Sequence, residues 1–441
     1  MEEYVINGGF PLQGEVEVGG AKNVILPAVI AGLLTDEEVR LENIPLISDL
    51  RLMVRICRDL GANITISNHT LIVKTINFKN HKIPLEIAAK LRASFMMLVP
   101  LLIHLGKAEI PNPGGCRIGT RPISRPIEGL QKMGAKIFYN SNDGYFHASL
   151  NKFIGSNFNF IKNTHTGTEM LILAAVLAKG QTILENAAQE PEIDNLIRLL
   201  NQMGGRIKRI KPRVITIDGV KKLYGTTFKI MPDRNEIVTF AIASLVTKGN
   251  VFIKDTQREY LKAFLEKLDE IGAGWEPAEN GTRFYFKDKL LSSKVQTGPY
   301  PGFMTDWQAP WAVLMTQAQG ESIIHETVYE NRFQYVDELI KMGAKIKLFN
   351  PSVTNPKNLY NFDLADDRDE YFHGMKISGP SFLHNAVLSI PDLRAGATLV
   401  LAAIAAKGKS SLEGIEHIDR GYENFDKRLQ SLGAKIKRKV I

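Results

Sequence analysis

Six short stretches decide how this chain is read: Leu60-Gly61-Ala62-Asn63, Met133-Gly134-Ala135-Lys136, Met203-Gly204-Gly205-Arg206, Ile271-Gly272-Ala273-Gly274, Met342-Gly343-Ala344-Lys345 and Leu432-Gly433-Ala434-Lys435. Their glycines are 73, 70, 68, 71 and 90 residues apart. Six units of about seventy residues therefore account for nearly all of the 441-residue chain.

Each stretch ends an amphipathic segment. Before Gly61, the residues Leu50, Met53, Val54, Cys57 and Leu60 recur at helical spacing, with Ser48 or Asp49 as the expected cap. Leu261, Leu265, Leu268 and Ile271 do the same before Gly272. The glycine stands where a helix C-terminus wants a left-handed residue. Alternating apolar residues follow, as in Ile64-Thr65-Ile66 and Ile346-Lys347-Leu348, and predict a strand. A second element recurs upstream: an apolar helix of small residues, a glycine turn, then a strand. Its copies include Leu173 to Gly180, Ala241 to Gly249 and Leu401 to Gly408. Each unit reads helix, strand, helix, strand, with room for more strands. One such unit cannot cover its own apolar faces, so several must group into α/β domains. The long last spacing marks an insertion, placed at the polar residues 349–375 and expected to form an exposed loop.

The composition is that of a globular chain: 44% hydrophobic and 23% charged. Its net charge of +8 is modest for the length; it suits an anionic substrate, nucleic acid or an anionic surface equally. Two cysteines, Cys57 and Cys116, exclude a disulfide framework and a cysteine-based metal cluster, and fit a reducing compartment. The start Met1-Glu2-Glu3-Tyr4 lacks a basic region before an apolar stretch, so no signal peptide is expected. No apolar run reaches the ~18 residues of a membrane span. The nine histidines show no metal-ligand spacing, so no metal is expected.

Four segments carry candidate chemistry. Gly19-Gly20-Ala21-Lys22-Asn23 precedes a helical run and is either a turn or an anion site. Residues 111–122 hold three prolines, three glycines, Cys116 and two arginines, Arg117 and Arg121; neighbouring arginines favour a thiolate, although a purely structural loop reads equally well. Asp306, in Pro301-Gly302-Phe303-Met304-Thr305-Asp306, suits a helix N-cap or a general base. Asp419-Arg420, within His417 to Glu423, reads as a salt bridge at a strand-to-helix junction. Arg92 and Arg394 open helices and suit anions as Lys22 does. Cys57 lies on an apolar helix face and reads as inert core. Together, one lysine, several arginines, a loop cysteine and an acid can hold phosphates while moving one proton.

The runs Gly20-Ala21-Lys22-Asn23, Pro113-Gly114-Gly115-Cys116-x-Ile118-Gly119-x-Arg121-Pro122, Glu185 to Ile193, Pro232-Asp233-Arg234, Glu330-Asn331-Arg332-Phe333, Asp392-Leu393-Arg394-Ala395 and His417 to Glu423 resemble the UDP-N-acetylglucosamine enolpyruvyl transferase family. The resemblance runs from residue 4 to about 438 and implies an inside-out α/β barrel. Two domains of three repeated units each would be joined by a double crossover: residues 22–231, with the cysteine loop, and 1–21 with 232–441. It implies transfer of the enolpyruvyl group of phosphoenolpyruvate to the 3-hydroxyl of UDP-N-acetylglucosamine, in the cytoplasm, with no cofactor. Cys116 would be the general acid, open to fosfomycin, and Asp306 the base or orienter. Lys22, Arg121 and Arg420 would bind phosphate and carboxylate, supported by Arg394. Asn23, Arg92, Asp306 and Val328 would contact the sugar nucleotide. Arg121, Pro122, Ile123, Ser124, Arg125 and Thr164, His165, Thr166, Gly167 would cradle uridine and diphosphate.

The chain departs from the family pattern at Thr164 to Thr168, where Ser-Val-Gly-Ala-Thr is commoner, at the preceding Asn163, at Ser124, Met96 and Asn235, and in the extra length of 349–375. These departures touch substrate contacts more than the reaction. A shikimate-phosphate transferase of the same fold lacks the Pro-Gly-Gly-Cys loop. A silent sugar-nucleotide-binding paralogue would not be expected to keep Lys22, Cys116, Asp306, Arg394 and Arg420 together. Nucleic acid is not an expected partner, since no basic patch is interleaved with aromatics. The resemblance sets no oligomeric state.

Overall fold

The structure is a computed structural model and describes residues 2–114 and 119–440; the side chains of residues 75 and 76 are outside the description. The described chain forms two compact units, one from 2–19, 119–121 and 232–440, the other from 20–114 and 122–231.

Each unit has helices inside and sheets outside. The 2–19/232–440 unit is built on three central helices. For the molecule as a whole, the central helices are α1 (Lys22–Gly32), α2 (Leu98–Leu105, entered through a 3-10 turn at Arg92–Met97), α3 (His165–Ala175), α4 (Arg234–Val246), α5 (Thr305–Thr316) and α6 (Leu393–Ala405). The last three belong to this unit. Every residue of α4 is buried, as are Leu393 to Ile404 of α6. A helix apolar all round has no solvent face to offer, which is why the small-residue runs seen in the sequence become the core. Three four-stranded sheets surround them. One has the strand order Lys294–Gln296, Gly320–His325, Gly374–Gly379, Lys345–Phe349, with the first pair parallel and the rest antiparallel. In the second, β2 (Gln13–Val16) lies parallel to Asn250–Lys254. In the third, β1 (Glu2–Gly8) pairs antiparallel with both Gly408–Glu413 and Lys435–Val440. The second unit repeats the plan around α1, α2 and α3, with two four-stranded sheets and one of three strands.

All six repeat glycines have positive φ: Gly61 113°, Gly134 100°, Gly204 96°, Gly272 75°, Gly343 93° and Gly433 101°. Each closes an outer amphipathic helix and is followed by a strand, as the pattern predicts. The fold is the inside-out α/β barrel type. Two local expectations are corrected. Neither Ser48 nor Asp49 caps the helix Ser48–Leu60: its N-cap is Ile47, and buried Asp49 turns instead to Lys22. Residues 349–375 are not simply an exposed loop. They contain a helical turn at Pro356–Leu359, a 3-10 turn at Leu364–Asp366, and the buried rings of Tyr360 and Phe362.

Candidate active site

The N-terminal ends of α4, α5 and α6 are joined by side-chain bonds. Asp233 caps α4, accepting from the Asn235 and Glu236 amides at 2.8 and 3.3 Å. Asp392 caps α6, accepting from the Arg394 and Ala395 amides at 2.8 and 3.2 Å. α5 has no side-chain cap; its N-cap residue is Met304, so Asp306 sits inside the first turn and its carboxylate is left for other partners. The N-cap alternative for Asp306 is thereby corrected.

Asp306 Oδ2 accepts from Arg394 Nε at 3.2 Å, and its Oδ1 faces Arg332 Nη2 at 3.4 Å. Burial alone would push this carboxyl up, but the charges of Arg394, Arg332 and Arg234 hold it below the usual carboxylate range. It is therefore an anion at neutral pH. Arg332 Nη1 also faces Asp392 at 3.7 Å, and Arg394 Nη1 donates to Tyr422 Oη at 3.1 Å. The Tyr422 hydroxyl meets Thr239 Oγ1 at 2.9 Å. Trp307 Nε1 donates to Asn235 Oδ1 at 3.0 Å, tying α5 to α4. Arg394 and Asp306, 88 residues apart, are thus held in one network.

Val328 is buried. Glu326, fully buried and pushed up by burial, accepts from the Val328 and Tyr329 amides through Oε1 at 2.8 and 3.1 Å. Its Oε2 accepts from Thr305 Oγ1 at 3.0 Å. One carboxyl group thus fixes both the start of α5 and the turn carrying Val328. Gly119, Thr120 and Arg121 lie against the same turn. The Thr120 amide donates to Glu330 Oε1, and the Arg121 guanidinium stands 5.9 Å from the Tyr329 ring. Gly119 is required here: its φ is 147°, and a Cβ would meet the Glu330 carboxylate at 2.6 Å. Arg420 follows the short helix Glu416–Asp419 and is half-buried. Asp419 pairs with Arg438 at 2.6 Å, which corrects the reading of Asp419-Arg420 as a local salt bridge.

In the other unit, Lys22 opens α1, and its ammonium stands 2.6 Å from Asp49 Oδ2. Asn23 is next to it, and Arg92 opens the 3-10 turn leading to α2. Ser124 begins the helix Ser124–Lys132, after Pro122 and Ile123. Arg125 Nη1 donates to the Asn163 carbonyl at 3.4 Å, which brings the 122–125 run to the 163–167 turn. Thr164 caps α3 by accepting from the Gly167 amide at 3.2 Å, with His165 and Thr166 in the first turn. His165 Nδ1 lies 3.3 Å from Glu169 Oε1. Burial opposes its protonation, but Glu169, Glu190 and Glu192 overcome this and push it up to about 10.

Cys116 lies outside the described residues. Cys57 is buried against Met97 Sδ at 3.9 Å, and burial pushes its thiol up to about 12, as suits inert core. No cluster of side chains suited to a metal ion occurs among the described residues, and no described helix is long and apolar enough to cross a membrane. Sequence reasoning did not single out Arg332, Asp392 or Glu326. The first two lie inside the quoted runs Glu330 to Phe333 and Asp392 to Ala395; Glu326 carries no local signal, since its partners are backbone amides and a threonine on another element.

The family model described as EPSP synthase (3-phosphoshikimate 1-carboxyvinyltransferase) matches residues 6–429. Among solved structures, the enolpyruvyl transferase NikO from Streptomyces tendae superposes with a TM-score of 0.87 at 21% identity, covering 100% of this chain and 99% of its own. EPSP synthase from Acinetobacter baumannii gives 0.76 at 15% identity over the full length of both chains. These two share the fold. UDP-N-acetylglucosamine 1-carboxyvinyltransferase of Bartonella henselae is 40% identical over all of both chains, and that of Coxiella burnetii is 41% identical over 99% of this chain and 96% of its own. The chain belongs to the carboxyvinyltransferase family and, within it, to the UDP-N-acetylglucosamine 1-carboxyvinyltransferases.

Proposed function

We propose that this protein transfers the enolpyruvyl group of phosphoenolpyruvate to the 3-hydroxyl of UDP-N-acetylglucosamine and releases phosphate, the first committed step of peptidoglycan synthesis, in the cytoplasm. The observation that carries this is full-length identity of about 40% to carboxyvinyltransferases named for that acceptor.

In this reading the chain divides into 22–231, with the cysteine loop, and 1–21 with 232–441, a division that differs from the compact units at residues 20–21 and 119–121. The sugar oxygen adds to C2 of phosphoenolpyruvate while C3 takes a proton from Cys116; in the elimination a C3 proton returns to the Cys116 thiolate, the C2–O bond to phosphate breaks, the departing phosphate takes up the proton held by Asp306, and the vinyl group is restored. Lys22, Arg121 and Arg420 bind the phosphate and carboxylate charges. Arg forks suit such groups because they bind them bidentately. Asp306 orients the sugar hydroxyl and receives its proton in the addition. Its ionised state, kept by Arg394 and Arg332, supports the acceptor role. Asn23, Arg92 and Val328 contact the sugar nucleotide, and residues 121–125 and 164–167 the uridine and diphosphate. The reading uses no metal or organic cofactor.

The second reading, a shikimate-phosphate transferase, is favoured only by the description of the matching family model. One assay separates them. Purified protein should release phosphate when given phosphoenolpyruvate with UDP-N-acetylglucosamine and not with shikimate 3-phosphate. Release with shikimate 3-phosphate alone would move the assignment. Release with neither would leave a binding protein.

A further inference from the structure

The 349–375 insertion is the part of the chain that the sixfold repeat does not explain. Two of its backbone bonds fall on one short segment. The Asn361 amide donates to the Thr327 carbonyl at 2.7 Å, and the Glu326 amide donates to the His373 carbonyl at 2.8 Å. Two points of the insertion, Asn361 near its middle and His373 near its C-terminal end, therefore hold the 326–327 step. Around these two points a small aromatic core forms. Tyr360 stacks on Phe362 at 4.7 Å between ring centroids, tilts against His373 at 5.1 Å and meets the edge of His325 at 5.7 Å. Its hydroxyl stands 3.2 Å from His325 Nε2, at the end of the strand Gly320–His325. His373 is held by Asp367 at 3.0 Å, and its amide donates to Asn350 Oδ1 at 3.0 Å. Asn350 Nδ2 in turn donates to the Tyr371 carbonyl at 3.2 Å.

The gripped step immediately precedes Val328 and includes the residue that fixes it. Glu326 holds the Val328 and Tyr329 amides and the Thr305 hydroxyl next to Asp306. Thr327 adds two bonds to Thr297, at 2.8 and 2.7 Å, so the segment is fixed from both sides. Packed aromatic rings and backbone bonds resist displacement, and misplacing a binding group by about 1 Å can cost up to ~10²-fold in rate. We infer that the 349–375 insertion is a positioning device for the sugar-nucleotide side of the site, with Tyr360, packed on His325 and His373 and followed by Asn361, as the residue through which it supports the 326–328 segment. This rests on the function proposed above. Tyr360 touches no reacting atom in this account; it acts through the segment it supports.

The test uses the full-length protein and the variants Tyr360→Ala, Tyr360→Phe and Asp367→Asn. Tyr360→Ala should raise KM for UDP-N-acetylglucosamine about tenfold, with KM for phosphoenolpyruvate changed less than about twofold. Tyr360→Phe keeps the ring and should restore most of the loss. Hydrogen exchange gives a readout independent of activity: in Tyr360→Ala the Val328 and Tyr329 amides should exchange faster, while amides of α6 keep their wild-type protection. If Tyr360→Ala fails to fold, Asp367→Asn, altered at a half-exposed side chain, carries the same comparison with a smaller effect. Unchanged exchange at 328–329 together with an unchanged KM would overturn the inference, as would equal increases in both KM values. If the wild type shows no transferase activity, the functional reading fails, and the exchange result alone decides the positioning claim.

Discussion

The surroundings of His165 explain how a histidine is held at the first turn of α3. Burial works against its charge, and the carboxylates of Glu169, Glu190 and Glu192 more than offset this, up to about 10. Glu169 is itself pushed up by burial. Both groups bind protons more tightly when folded than in the unfolded chain, where imidazole titrates near ~6.5 and a glutamate near ~4.3. The sign follows. Raised pKa values add stability that is complete below the unfolded values and fades as pH rises through the folded ones. For His165 the window runs from about 6.5 to about 10. Wild-type protein should therefore lose thermal midpoint more steeply between pH 7 and 10 than Glu169→Gln, in which His165 loses its nearest carboxylate. Parallel midpoint curves for the two proteins would sink this account.

The outer helices end at glycines for one backbone reason, but their surroundings differ. At Gly272, φ is 75° and an added Cβ would meet nothing nearer than 3.7 Å. At Gly61, φ is 113° and the Cβ would fall 2.1 Å from the Asn77 carbonyl oxygen. Gly272→Ala should then cost only the left-handed penalty of roughly 1–2 kcal/mol. Gly61→Ala should cost more, because backbone must move. Denaturant midpoints measure both, and equal losses would contradict the distinction. These glycines, the helices before them and the strands after them were legible in the sequence because each depends on residues a few positions away. Lys22 with Asp49, Arg394 with Asp306, and Asp419 with Arg438 were not, because each pair joins elements distant in sequence. The sequence offers a good cap in Ser48 and Asp49 and a near pair in Asp419-Arg420; tertiary partners outweigh both. The candidate site was legible as residue types in motifs, whereas the network that ionises Asp306 became visible only with the helices in place.

At the scale of the whole chain, the ends are held together. β1 is flanked on both sides by C-terminal strands, in register from Glu2 against Val440 and from Glu3 against Glu413. β2 extends a second sheet beside Asn250–Lys254. Tyr4, Ile6, Leu12 and Val16 are buried in the same core as α4, α5 and α6. Burying four such side chains contributes roughly 1.5–3 kcal/mol each, of order 10 kcal/mol together, which is comparable with the ~5–15 kcal/mol total stability of a typical domain. Removal also leaves Gly408–Glu413 and Lys435–Val440 without the strand between them. A protein lacking residues 1–18 should lose the cooperative unfolding of the part built from 232–440, seen by calorimetry as a missing or much lowered transition. A synthetic peptide of residues 1–19 added in excess should restore it, since the lost strand binds only the folded form and shifts the equilibrium by mass action. A truncated protein with a wild-type transition would show that the two flanking strands close on each other without β1.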